Sequence, residues 1–145
     1  MVRSGEGLVA RMKGDAAVAQ AAFTTARAAQ EQIVQAQPDY GPALCVLGLI
    51  DAGLGRKEEA LREGRRAAEL LPVEKDSING PLVLDVLALN YAWVGEKDLA
   101  IEQLTHNVQR PGSSPYGILK LFPIWDPLRG DSRFEKIVES LAPKS

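Results

Sequence analysis

Residues 42–72 read PALCVLGLIDAGLGRKEEALREGRRAAELLP, and residues 81–112 read PLVLDVLALNYAWVGEKDLAIEQLTHNVQRPG. Each opens at proline, runs through a leucine-rich stretch to a glycine turn, continues through a second apolar stretch and stops at proline. Leu44, Leu47, Gly48 and Asp51 in the first match Leu84, Leu87, Ala88 and Tyr91 in the second, at the spacings of one helix face. Beyond the turns, Ala60, Leu61, Gly64, Ala67, Ala68 and Leu71 match a second stripe carrying Ala100, Ile101 and Leu104. Asp51 precedes Ala60 by nine positions, as Tyr91 precedes Ala100, so the two units align without gaps. No sustained period-two alternation or hairpin signal occurs. The chain is read as all-α and built of repeated helix pairs.

The same rhythm extends outward. Gly14, Gly55, Gly95 and Gly130 lie 41, 40 and 35 residues apart, each between two helix-like segments. A glycine there can take the left-handed conformation that ends a helix, and the polar residues after it can start the next. Asp15 to Gln37 is alanine-rich and free of glycine and proline, with Val18, Ala22, Ala26, Ala29 and Ile33 predicted as its core-facing stripe. Pro38 ends it. Val73 to Pro81 reads as an exposed loop. Tyr116 to Leu141 reads as a shorter, irregular pair whose last helix places Phe134, Ile137, Val138 and Leu141 on one face, capping the stack. The expected units are 1–38, 41–72, 81–112 and 114–142, forming a single domain.

Composition narrows the function classes. Seventeen basic and nineteen acidic residues leave a net charge of −2 in 145 residues, which excludes a strongly electrostatic nucleic-acid binder. Cys45 is the sole cysteine, so no internal disulfide forms, in keeping with a reducing, cytoplasmic setting. No apolar run is long enough for a membrane span, and Met1 to Lys13 lacks a signal-peptide core.

These residues resemble the tetratricopeptide repeat, whose pattern is W-x2-L-G-x2-Y, then A-x3-F, then P. The second unit matches as Leu44, Leu47, Gly48, Asp51, Ala60, Gly64 and Pro72; the third matches as Leu84, Leu87, Ala88, Tyr91, Ala100, Leu104 and Pro111. The first unit keeps Ala19 and Phe23 of the second-helix half. Both full units lack the leading Trp; Asp51 replaces an aromatic, and Gly64 leaves a large-residue place empty. The resemblance covers residues 14 to 112 and implies a tetratricopeptide-type α-solenoid with a C-terminal capping helix. The ending, Trp125 to Phe134, is similar to the tail of repeat arrays in bacterial protein kinases and transcriptional regulators. That likeness implies that the chain is part of a larger signalling protein.

Chemical motifs are sparse. Gly53-Leu54-Gly55-Arg56-Lys57 lacks the glycine spacing, the Ser or Thr after lysine and the preceding strand of a phosphate loop. Cys45 and His106 are the sole nucleophile–base couple, but they belong to different helical layers, with Cys45 in an apolar stretch. Asp51 and Asp85 occupy different places in their units, so they are not expected to pair as acid and base. Clustered metal ligands are lacking. Arg56, Lys57, Arg62, Arg65 and Arg66 interleave with glutamates and read as a solvated outer face. Aromatic platforms for nucleic-acid bases are lacking beside them.

No catalytic residue, cofactor or metal is therefore expected. The resemblance implies a concave partner-binding face at Cys45, Leu49, Ala52, Asp85, Leu89 and Trp93. Known chaperone-binding members place Lys, Asn and Arg at such positions to clamp a carboxylate terminus; these residues suit an apolar or basic protein segment instead. Trp93 is either the anchor for that segment or part of the core with Trp125 and Phe122. The expected function is non-catalytic binding of a protein or peptide, as a scaffold or the regulatory part of a signalling protein. Self-association is the alternative, and an enzyme with an unrecognised site a remote one. Neither nucleic acid nor membrane is an expected partner.

Overall fold

A computed structural model describes residues 6–7, 9–11, 13–72, 79–108, 110 and 113–143. Among these the chain is all-helical and contains no strand. Helical residues at 9–11 precede α1 (Ala16–Ala36), α2 (Gly41–Gly53), α3 (Lys57–Leu70), α4 (Asn79–Trp93) and α5 (Lys97–Asn107). Next come α6 (Tyr116–Leu121), a 3-10 helix (Pro123–Leu128) and α7 (Ser132–Ser140).

The glycine turns set this order. Gly14, Gly55, Gly95 and Gly130 have φ of 77°, 76°, 89° and 88°, the left-handed region that a Cβ disfavours. The first three turns close alike: the residue after glycine donates its N–H to the carbonyl five residues back. These bonds join Asp15 to Ala10 at 2.9 Å, Arg56 to Asp51 at 2.9 Å and Glu96 to Tyr91 at 2.8 Å. The carboxylate of Asp15 then caps α1, accepting from the Val18 N–H at 3.1 Å.

Each three-residue glycine turn folds its two helices against one another, α2 with α3 and α4 with α5. Helix α1 packs on α2, and α4 packs on both α2 and α3, so α4 joins the two pairs. The core is correspondingly spread out. One apolar cluster runs from Leu61 and Leu87 to Phe134; smaller ones gather around Phe23 with Ile50, and around Leu44 with Ala67 and Val83.

Two expectations require correction. Of the expected stripe of Val18, Ala22, Ala26, Ala29 and Ile33, helix α1 buries only Ala26. It buries Ala19, Phe23, Ala26 and Gln30, leaving Val18 52% and Ile33 42% exposed. The reason is Phe23, whose ring occupies the space beside Gly53 and Gly7. A Cβ at either glycine would lie 2.7 Å from that ring. One large ring outweighs several alanines in setting the rotation of the helix. The Gly64 place is also not empty: Asn90 and Leu87 of α4 fill it, 2.8 and 3.0 Å from where a Cβ would stand.

The last segment is irregular because Pro123 and Pro127 interrupt α-helical hydrogen bonding. Arg129 fastens it, donating to the carbonyls of Leu119 at 3.0 Å and Phe122 at 2.7 Å. Helix α7 buries Phe134, Ile137 and Val138 against α5 and α6, with Leu141 partly covered. The expected loop at Val73 to Pro81 falls partly on residues 73–78, outside the described residues; Pro81 itself lies in α4. Residues 1–5 of the first unit and the stop at Pro111-Gly112 also lie outside them.

Candidate functional site

The six positions expected to line a groove do not form one open surface. Cys45, Ala52, Asp85 and Leu89 are buried against neighbouring helices; Leu49 and Trp93 are half-buried. Cys45 packs with Leu44, Ala67 and Val83, and burial pushes its thiol up to about 11. His106 is exposed on α5. With the thiol protonated and sealed, it lacks the thiolate needed for nucleophilic chemistry.

Asp85 is a structural fastener. Asn107 donates to its Oδ1 at 2.5 Å and to the Pro81 carbonyl at 3.0 Å, while the Ser114 N–H donates to Oδ2 at 2.5 Å. One carboxylate thereby ties α4 to α5 and to the segment entering α6. Burial raises its pKa, and the bonds from Ser114 and Asn107 oppose that rise.

Trp93 is held from several sides. Its indole N–H donates to the Ile124 carbonyl at 2.9 Å, its ring centroid lies 6.3 Å from that of Phe23, and the Arg11 guanidinium sits 4.0 Å over its ring. It therefore links the N-terminal layer to the 3-10 helix. Trp125 pairs instead with Phe134, at 6.4 Å, and Phe122 is 45% exposed.

A buried charged group also lies between α1, α2 and α3. Asp51 is fully buried; its Oδ1 accepts from Arg27 Nε at 2.6 Å and lies 3.6 Å from Arg56 Nε. Glu63, 6% exposed, reaches hydrogen-bonding contact with Asp51. Burial first, then the bond to Asp51 and its charge, raises the Glu63 pKa to about 9. Asp51 departs from the aromatic of the repeat pattern and lies on an apolar stripe. Glu63 stands beside Gly64 within the next one. Those two anomalies are the signal for this pair in the sequence, where Asp51 invites comparison with Asp85 rather than with Glu63.

The basic cluster forms an outer face. Arg66 pairs with Asp39 and Glu69 at 3.2 Å each, Lys57 pairs with Glu96, and Arg65 Nε donates to Tyr91 Oη at 3.0 Å. Such exposed pairs add little stability. Among the described residues, no group of three or more His, Cys, Asp or Glu side chains is placed to hold a metal ion. No described helix is long and apolar enough to cross a membrane.

Apolar side chains remain uncovered. On α1, Val18, Ala29 and Ile33 point outward along one row, with Ala22 half-covered between them. Leu121 and Phe122 are exposed at the end of α6. No family model matches the chain, and neither the curated proteins nor the solved structures compared with it provide a match.

Proposed function

We propose that the chain is a tetratricopeptide-type solenoid that binds a protein segment without catalysis, its partner lying on the outward row of α1. The repeated turn closures and the position of α4 against both α2 and α3 support the solenoid reading. The binding reading rests on one observation: α1 buries its Phe23 face yet exposes a flanking apolar row at Val18, Ala29 and Ile33. The row flanks the buried face, so the apolar surface of α1 is wider than its own fold covers. An apolar, helix-forming peptide would lay i, i+3 and i+4 side chains along that row.

A peptide-display library screened against the full chain tests this reading. Selected peptides should be rich in apolar residues and lose at least tenfold in affinity for a Val18→Glu, Ile33→Glu variant of unchanged helicity. Loss with Leu49→Glu alone would move the partner to the Leu49–Trp93 side. Equal affinity for all three chains would remove the surface proposal. The alanines in the same row also suit close approach of a second copy. Light scattering over a concentration series separates that reading, because a mass fixed at 15.7 kDa excludes it.

A further inference from the structure

We propose that Asp51 and Glu63 share one proton where α2 meets α3, making the stability of the folded chain proton-dependent at this joint. The two carboxyl groups are buried and in hydrogen-bonding contact. A carboxylate can only accept a hydrogen bond, so two ionised groups in contact would have no donor between them. Arg27 and Arg56 both approach Asp51 Oδ1. Asp51 Oδ2 and Glu63 Oε1 are each buried with no donor, which one shared proton would supply. A single proton on Glu63, donated to Asp51, resolves the contact and leaves one negative charge facing two guanidinium groups.

The surroundings favour this distribution. From α1, Arg27 faces the pair and is shared with Glu31 at 2.7 Å. From the α2–α3 turn, Arg56 is shared with Glu59 at 3.7 Å. On α3 itself, the Arg62 charge favours ionised Glu63, as does Arg27, but both are outweighed by burial and Asp51. From α4, Asn90 spends its amide on the Ala60 carbonyl at 3.4 Å, and Tyr91 Oη accepts from Arg65. Removing the proton leaves two negative charges side by side in a buried site, a cost that the attraction of Arg27 and Arg62 does not offset.

Unfolded Glu63 ionises near its ordinary value of 4.5, whereas the folded group keeps its proton to about 9. Between these values unfolding releases a proton, so this group makes the folded state less favourable as pH rises. Below the lower value the two states hold the proton equally, and above the higher value the full penalty is present.

The test is urea unfolding of the full chain between pH 5 and 9, beside Glu63→Gln, which keeps a donor toward Asp51 and carries no charge. One linked proton changes the unfolding constant about tenfold per pH unit. The parent should show that extra dependence over the variant around pH 7. Burial also raises the Asp85 pKa, but that contribution is present in both chains and cancels. Identical slopes overturn the proposal. Carboxyl carbon-13 shifts of the parent need no variant: one glutamate should stay protonated at pH 7. Ionisation of every glutamate by pH 6 overturns the proposal equally.

Discussion

Gly64→Ala exchanges a poor helix former for the best one, and by propensity alone it should stabilise α3 by about 1 kcal/mol. The structure reverses the sign. The added Cβ would stand 2.8 Å from Asn90 Nδ2 and 3.0 Å from Leu87 Cδ1, well inside the ~3.5–4.0 Å of a normal carbon contact. Both neighbours are buried, and Asn90 also presses on Gly48, whose own Cβ would lie 3.0 Å from the same amide. Overpacking of this kind costs about 1–3 kcal/mol, and displacing Asn90 from the Ala60 carbonyl adds about 1 kcal/mol. The net expectation is a loss of about 1–3 kcal/mol in urea unfolding followed by circular dichroism. Gly117→Ala is the control, since nothing lies within 4 Å of its Cβ on the exposed side of α6. It should be neutral or gain up to about 1 kcal/mol. Asn90→Ala in the Gly64→Ala background should recover part of the loss, with a coupling of about 1 kcal/mol or more. A Gly64→Ala chain as stable as its parent would refute the packing argument.

Phe23→Ala removes the ring held between Gly7 and Gly53, and should cost about 3–5 kcal/mol by equilibrium unfolding; a loss under about 1 kcal/mol would contradict the corrected rotation of α1. The buried Cys45 thiol should resist alkylation at pH 8 until urea unfolds the chain, and rapid labelling of the native protein would oppose its placement. Asp131 caps α7 and holds Arg133, whose hydrogen bond is the leading cause of its pKa falling from 3.8 to about 2. Its contribution is present above pH 3.8 and lost as pH falls through 2, so Asp131→Asn should flatten the stability profile in that window. An unchanged profile would count against the pair.

The features legible in the sequence share a cause: each depends on residues near one another along the chain. Gly14, Gly55, Gly95 and Gly130 announce turns because left-handed φ is a local requirement. The face of α7 is legible because Phe134, Ile137 and Val138 have no apolar competitor across the helix. Helix α1 is different, since alanine on every side makes any stripe plausible and Phe23 finds its pocket at Gly53, thirty positions away. Gly64 looked empty for the same reason, its filler Asn90 coming from α4. At the candidate site, the repeat pattern could nominate Cys45, Ala52, Asp85 and Leu89 by position. Their burial depends on how closely this chain's own helices pack. Glu63 passed as one glutamate of a charged face, although the partner beside it, Asp51, stands across the turn on α2.

Two close approaches hold the stack together: Asn90 of α4 fills the gap at Gly48 and Gly64, and Phe23 of α1 fills the gap at Gly53 and Gly7. Side-chain nuclear Overhauser contacts of the full chain measure this directly. The Asn90 side-chain amide should give cross-peaks to the α-protons of both Gly48 and Gly64, and the Phe23 ring to those of both Gly7 and Gly53. Asn90 contacts confined to its own helix, or a Phe23 ring without contact to Gly53, would contradict the stacking of α1, α2, α3 and α4 described above.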